Sequence, residues 1–298
     1  MSLALTLSPE AASPDLREDW PHRAASRFQH AGGLRWHVQV MGPGEGNSPV
    51  ALLLHGTGAS THSWRGLMPL LARRYTVIAP DLPGQGFTGE APADALSMEG
   101  MARALGALLQ TMQAEPRLVI GHSAGAAIGA RMCLDGLVAP ELLVSINGAL
   151  LPLGGWAGQV FSPLARLMVR LPGMPRLFAW RAADPVVVRR LLDATGSKLD
   201  EEGIEFYARL FRRPEHVAGT LGMMAAWDLH ALRRDLPNLK TPLLLVIGQQ
   251  DQTIRPSEAR RLMRILPQAR IHALPGLGHL AHEEAPESVL HAILEDHP

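Results

Sequence analysis

The sequence predicts an α/β fold: one mostly parallel, twisted β-sheet flanked by helices, with a helical cap insertion in its second half. Short apolar runs alternate with segments of helical period along most of the 298 residues, which is typical of a parallel sheet covered on both faces. From about 150 to 230 this alternation stops, and short helical pieces separated by proline and glycine replace it. The length suits one large domain with an insertion.

The predicted strands are continuous apolar runs, as expected for strands buried on both faces. A hairpin at Ser26–His30 and Leu34–Val40 opens the sheet, and further strands are predicted at Val50–Leu54, Thr76–Ala79, Arg117–Ile120, Leu142–Ile146, Pro242–Ile247 and Ala269–Leu274. Helices are predicted at Trp64–Ala72, Met98–Met112, Ala124–Leu134, Ser257–Leu266 and Pro286–Asp296. The predicted units are an N-terminal arm (1–24), a core (25–149 and 231–298) and a helical cap or lid (150–230).

The charge balance argues against a nucleic-acid partner. Basic and acidic residues number 28 each, so the formal net charge is zero and no basic field is available to hold a polyanion. Cys133 is the only cysteine, which excludes an intramolecular disulfide and suits a reducing cytoplasm. We therefore predict a cytoplasmic protein.

No secretory or membrane-spanning segment is predicted. The N-terminus lacks the basic start and the long apolar stretch of a signal peptide. Residues 142–165 carry no charge, but Asn, Gln, Pro and Gly interrupt them. A buried strand followed by an apolar loop explains this stretch better than a transmembrane helix.

Residues 121–125, Gly-His-Ser-Ala-Gly, match the G-x-S-x-G pattern of a nucleophile elbow. There a serine occupies a sharp turn between a strand and a helix, so that its hydroxyl lies at the carboxyl edge of the sheet. The pentapeptide alone occurs by chance in many chains. Here a predicted strand precedes it and a predicted helix follows it, and this context makes Ser123 the candidate nucleophile.

A serine hydroxyl is a weak nucleophile until a base takes its proton. Asp251 and His279 each follow a predicted strand, in the chain order Ser, acid, His that this architecture uses. We predict a catalytic triad in which His279 is the general base and Asp251 holds its tautomer. His282, three residues further on, is the alternative base.

Backbone N–H groups are predicted to form an oxyanion hole. Ala124, the residue after the nucleophile, supplies one, and Thr57 in the His-Gly-Thr-Gly loop at 55–58 supplies the other. This loop lacks the third glycine of a dinucleotide fingerprint, and the chain has no G-K-[ST] sequence. It has no H-E-x-x-H pattern either, so neither a cofactor nor a metal site is predicted.

The cap is predicted to supply a soft, apolar substrate pocket and a basic stripe. Large or adaptable side chains lie in or beside it, and they suit a hydrophobic ligand. The residues assigned to the pocket are His122, Trp156, Phe161, Trp180, Met223 and Trp227. Arg166 and Arg170 are assigned to an anionic group, because arginine pairs bidentately with carboxylates. Ordinary packing and a solvated helix face remain the alternatives.

Together these motifs resemble the α/β-hydrolase superfamily across about residues 25–296. The sequence is also similar to a narrower group, the magnesium-chelatase-associated (BchO-type) hydrolases found with bacteriochlorophyll biosynthesis genes. Five stretches carry this similarity: 33–39 (GLRWHVQ), 55–64 (HGTGASTHSW), 121–127 (GHSAGAA), 145–150 (SINGAL) and 222–229 (GMMAAWDL). One difference from many superfamily members is Gln85, where they carry histidine in the turn that follows Asp81. Asp81 itself we interpret as a turn-stabilising group.

The resemblance implies an accessory role near the insertion of magnesium into a porphyrin, a step of pigment synthesis for photosynthesis. Magnesium chelatase subunits would then be partners and a tetrapyrrole a ligand. It implies no particular reaction, so two functions stay open. One is a serine hydrolase, esterase-like, acting on a small apolar or amphipathic molecule. The other is a non-catalytic accessory protein that binds a tetrapyrrole or the chelatase.

Overall fold

An eight-stranded β-sheet forms the centre of the fold. The computed structural model describes residues 16, 18–43, 48–152, 171, 173–182 and 184–296. The strands are β1 (Ser26–Ala31), β2 (Leu34–Met41), β3 (Val50–Leu54), β4 (Thr76–Pro80), β5 (Pro116–His122), β6 (Leu142–Ile146), β7 (Leu243–Gly248) and β8 (Arg270–Leu274). They lie in the order β1-β2-β4-β3-β5-β6-β7-β8.

The sheet is mostly parallel, as predicted. Only β1 with β2 and β2 with β4 pair antiparallel, and the five other neighbouring pairs are parallel. Because β3, β5, β6, β7 and β8 run the same way, their carboxyl ends meet at one edge of the sheet. Loops that follow these strands therefore bring distant parts of the sequence together.

The core helices are α1 (Leu67–Leu71), α2 (Met98–Met112), α3 (Ala124–Leu134), α8 (His230–Asp235), α9 (Ser257–Met263), α10 (Ala281–Glu284) and α11 (Pro286–Asp296). One prediction was wrong here: Trp64–Ala72 is not a single helix. A 3-10 helix covers Thr61–Trp64 and α1 begins only at Leu67. Gly66 lies between them and against Pro286, where a Cβ atom would be 2.8 Å from the proline ring.

Two hydrophobic cores cover the two faces of the sheet. Val119 of β5 packs into the core that contains α2, α3, α8 and α9. Its neighbours Leu118 and Ile120 pack into the opposite core, with α1, α10 and α11. Successive side chains of a strand point to opposite faces, so a strand covered on both sides reads as a continuous apolar run. This explains why the predicted strands were recognisable.

Further helices lie in the described part of the connection between β6 and α8. They are α4 (Met174–Arg181), α5 (Pro185–Asp193), α6 (Glu201–Phe211) and α7 (Pro214–Ala226). In space, α4 packs on α7, α5 on α6, and α6 on α7. The helical character of this segment agrees with the prediction, whereas the exact limits of the cap at 150 and 230 stay a prediction. No helix in the described residues is long and apolar enough to cross a bilayer.

Two glycines let β5 and α3 meet in a tight turn. A Cβ atom at Gly121 would lie 2.4 Å from the backbone nitrogen of Ala126, and one at Gly125 would lie 2.0 Å from the carbonyl oxygen of Leu54. Between them Ser123 has φ 51° and ψ −115°, a conformation that non-glycine residues rarely adopt. Neither Gly121 nor Gly125 could therefore carry a side chain without displacing backbone.

We expect Gly125→Ala to lower the free energy of unfolding by about 3 kcal/mol, because the added methyl group meets backbone rather than a movable side chain. The control is Gly106→Ala in α2, where the new Cβ would meet only the side chain of Leu137, at 3.3 Å. Alanine is also more favourable than glycine inside a helix, so we expect the control to lose little stability. Urea unfolding of both variants measures the difference, and equal losses would show that the turn is less crowded than described.

Candidate active site

Three side chains predicted to act together lie at the carboxyl edge of the sheet. Ser123 directly follows β5, Asp251 comes three residues after β7, and His279 comes five residues after β8. Nδ1 of His279 lies 2.8 Å from Oδ2 of Asp251. Asp251 is buried, and its Oδ1 accepts hydrogen bonds from the backbone N–H groups of Thr253 (2.7 Å) and Ile254 (2.9 Å). These bonds fix the carboxylate and leave its second oxygen for the histidine.

His282, the alternative base, has a different environment. Its ring is fully buried and packs on Trp64 and His122, with ring centroids 4.6 and 4.4 Å apart. Neither of its ring nitrogens has a hydrogen-bond partner among the described residues. Burial lowers the pKa of His282 to about 3, with the charge of His279 adding to the effect. A base needs an acid that orients it, and the contact with Asp251 favours His279.

The loop at 55–58 lies against the nucleophile. A Cβ atom at Gly56 would be 3.1 Å from Cβ of Ser123 and 2.7 Å from Nδ1 of His122, so this position has no room for a side chain. Thr57 is exposed at the edge, and Ala124 is the first residue of α3. The N–H groups of a helix's first turn have no acceptor within the helix. Both predicted oxyanion donors thus belong to segments that flank Ser123.

Two side chains hold Gly58, the last residue of this loop. Its N–H donates to Oε1 of Gln85 (2.7 Å), and its carbonyl accepts from Nε2 of His216 (3.2 Å). Nδ1 of His216 in turn accepts from the N–H of Gly86 (2.9 Å). Burial lowers the pKa of His216 to about 3, which keeps the ring neutral so that one nitrogen donates while the other accepts.

Sequence reasoning missed both of these residues. His216 belongs to α7, between β6 and β7, and matches no motif, so nothing in the sequence linked it to a loop at 58. Gln85 was noticed only as a difference from related proteins. Its contact with Gly58 gives it a role, and its Nε2 also donates to the sulfur of Met223 at 3.1 Å. The sequence carried no signal for this role, because the burial of Gln85 and its contacts are seen only in the folded protein.

Asp81 makes hydrogen bonds that hold the same region together. Its Oδ2 accepts from Nδ1 of His37 and from the N–H of Phe87, both at 2.8 Å, and its Oδ1 accepts from the N–H of Thr61 at 2.7 Å. Burial opposes its ionisation, but the charge and hydrogen bond of His37 outweigh this and lower the pKa of Asp81 to about 2. The contacts fit the predicted turn-stabilising role.

The predicted pocket residues fall in different surroundings. His122 is buried beside the rings of His279 and His282, Met223 is fully buried against Thr57 and Gln85, and Trp227 is half-buried at the end of α7. Trp180 is 69% exposed on α4, which gives no support to a place in a closed pocket. Trp156, Phe161, Arg166 and Arg170 lie outside the described residues.

A small crevice opens beside the Asp251 loop. Its lining is mainly apolar and includes Leu150, Leu245, Ile254 and Leu262. The four predicted pocket residues that the structure describes are not part of this lining. As for metals, the described chain shows no cluster of three or more His, Cys, Asp or Glu side chains able to hold an ion.

We expect Asp81→Asn to lower the free energy of unfolding by about 2 kcal/mol at pH 6. The pKa of Asp81 falls from 3.8 to about 2 on folding, so its contribution is complete above pH 4 and is lost as the pH falls toward 2. The gap between wild type and variant in urea unfolding should therefore narrow over that range. Asp94→Asn, at an exposed site, is the control. A gap independent of pH would contradict this account.

Comparisons with known proteins agree with this architecture. Residues 51–292 match the alpha/beta hydrolase family. The chain is 40% identical to a magnesium-chelatase 30 kDa subunit of Rhodobacter capsulatus, over 94% of this chain and 97% of the relative. It is 24% identical to a 2-hydroxy-6-oxo-6-phenylhexa-2,4-dienoate hydrolase of Burkholderia cepacia, over 84% of this chain and 87% of that protein.

Among solved structures, an alpha/beta hydrolase fold protein from Burkholderia ambifaria superposes with a TM-score of 0.74 at 25% identity. The superposition covers 91% of this chain and 97% of that one. The family match spans most of the chain, and the eight-stranded sheet has the corresponding topology. This chain therefore belongs to the alpha/beta hydrolase family.

Proposed function

We propose that this protein is a serine hydrolase whose triad is Ser123, Asp251 and His279. The observation that carries the proposal is the 2.8 Å contact between Nδ1 of His279 and Asp251 at the sheet edge where Ser123 adopts its positive φ. Such a contact leaves the other ring nitrogen of His279 available to take a proton. Family membership supports hydrolase chemistry in general.

In the proposed reaction, Oγ of Ser123 attacks the carbonyl carbon of the substrate while His279 takes the hydroxyl proton. Asp251 stabilises the imidazolium that forms. The backbone N–H groups of Thr57 and Ala124 would stabilise the negative oxygen of the tetrahedral intermediate. The proton then passes from His279 to the leaving group, and water, activated by the same histidine, hydrolyses the acyl-enzyme.

The substrate class rests on relatives and on composition. The magnesium-chelatase subunit to which this chain is 40% identical supports a role beside magnesium chelatase in bacteriochlorophyll biosynthesis, with a tetrapyrrole or a small amphipathic molecule as substrate. We also propose that Met223 and Trp227 border the substrate, since Met223 contacts the loop of Thr57. A cytoplasmic location agrees with the single cysteine.

The second candidate is a non-catalytic accessory protein that binds the chelatase or a tetrapyrrole, and the name of that same relative favours it. The two functions differ in what they require of Ser123. A binding protein has no use for an activated serine, whereas a hydrolase depends on one. Labelling by a fluorophosphonate probe, which reacts with activated serines, distinguishes them.

We expect the probe to label wild-type protein and not Ser123→Ala. His279→Ala should lower ester turnover by about 10⁴-fold, because proton transfer is lost, while the fold is kept. His282→Ala is the matched control and should retain most turnover. Near-normal turnover in His279→Ala together with an inactive His282→Ala would show that the base is His282. Folded wild type that is never labelled would favour the binding protein.

We expect Gln85→Leu to lower kcat for ester hydrolysis about 10-fold or more while changing KM little, because the N–H of Gly58 loses its acceptor and the oxyanion loop shifts. Steady-state kinetics on one ester measures both constants. Gln113→Ala, at an exposed helix end, controls for nonspecific effects. A rise in KM alone would mean that Gln85 serves substrate binding and not the loop.

A further inference from the structure

The backbone carbonyl of His279 accepts two side-chain hydrogen bonds. Nδ2 of Asn147 lies 2.8 Å from this oxygen, and Nε2 of His122 lies 2.9 Å from it. A carbonyl oxygen has two lone pairs, so these donors fill it. Asn147 and His122 are 1% and 3% exposed, which means that water does not compete for these bonds. The peptide that carries the predicted base is thus held from two directions.

Asn147 connects three segments at the sheet edge. It follows β6, and its Nδ2 also donates to the carbonyl of Gly278 at 2.9 Å. Its Oδ1 accepts from the N–H of Gly248 at 2.8 Å, at the end of the strand that leads to Asp251. The amide nitrogen therefore donates two hydrogen bonds and the amide oxygen accepts one, which fixes the orientation of the amide. The backbone φ of 46° is one that asparagine tolerates better than most residues.

His122 approaches from the nucleophile's side, since it directly precedes Ser123. Burial lowers its pKa well below the usual value, with the charges of His282 and His279 adding to the effect. The ring is therefore neutral, and the hydrogen on Nε2 is the one that bonds His279. Nδ1 has no partner among the described residues and faces Gly56, where a Cβ would lie only 2.7 Å away.

We propose that Asn147 and His122 are positioning residues for the catalytic base. They act through the backbone of His279 and place its imidazole between Asp251 and Ser123, and this inference rests on the proposed hydrolase function. His122 directly precedes Ser123, and Asn147 is bonded to the end of the strand that leads to Asp251. The two donors therefore link the segment of His279 to the segments of the other two predicted triad residues. A shift of about 1 Å in a catalytic group costs a turnover factor of about 10².

The test compares variants that keep or remove the donor. Asn147→Asp keeps the volume and the tolerance of a positive φ but places an oxygen against two carbonyls. Asn147→Gly removes the amide and relaxes the backbone. His122→Gln keeps a donor at nearly the same reach, whereas His122→Leu removes it. Ser145→Ala is the matched control, because Ser145 is also buried near the end of β6 and its hydroxyl has no hydrogen-bond partner among the described residues.

Three readouts are needed: kcat and KM for an ester, the thermal midpoint, and the downfield proton NMR signal of the Nδ1–H between His279 and Asp251. We expect both Asn147 variants and His122→Leu to lower kcat about 100-fold with KM changed less than about threefold, and to broaden or remove the downfield signal. His122→Gln should recover most of kcat and of the signal, and Ser145→Ala should resemble wild type.

Unchanged kcat and an unchanged downfield signal in Asn147→Asp and His122→Leu would overturn the inference. So would a lower thermal midpoint with both readouts intact, since the residues would then serve only the fold. If wild-type protein neither hydrolyses esters nor reacts with a fluorophosphonate, the proposed function fails by itself. The downfield signal still decides in that case whether these two donors position His279.

Discussion

The tight turn that joins β5 to α3 at Ser123 is the constraint on which the rest of the site depends. The chain reverses so tightly there that Cβ atoms at Gly121 and Gly125 would overlap with backbone. The strained φ of Ser123 persists because the sheet and the helix on either side are buried and leave no alternative. The neighbouring loops have adapted to this turn. Gly56 has no side chain, which makes room for His122, and the N–H of Ala149 reaches back to the carbonyl of Ser123 at 2.9 Å.

The parts of the molecule that follow from local patterns were predictable. Each buried strand appeared as an apolar run, because side chains on both faces pack into cores. The sharp turn at Ser123 was recognisable because a specific short pattern stood between a strand and a helix. The division of the predicted helix into a 3-10 helix and α1 was not, and the close approach of Pro286 to Gly66, from more than 200 residues away, was equally invisible in the sequence.

The residues that support the site could not be predicted from the sequence, because their contacts also join distant segments. Asn147, Gln85 and His216 each make contacts that join segments 27 to 158 residues apart. No period or motif encodes such a contact, and an isolated buried polar residue looks like any other until its partners are known. His122 was assigned to the substrate pocket because it adjoins Ser123, whereas its ring points away from the surface, toward His279 and His282.

The bond from His216 to Gly58 has a consequence for how the protein comes to be active. His216 is made more than 150 residues later than the loop it holds, and it belongs to the helices inserted between β6 and β7. A chain whose core has formed while these helices have not would contain the nucleophile and its turn, but Gly58 would be held by Gln85 alone. If the proposed chemistry holds, molecules in which these helices have not yet folded would be poor catalysts. Folding of the helices between β6 and β7 would then complete the active site, and their sequence could not change independently of the core.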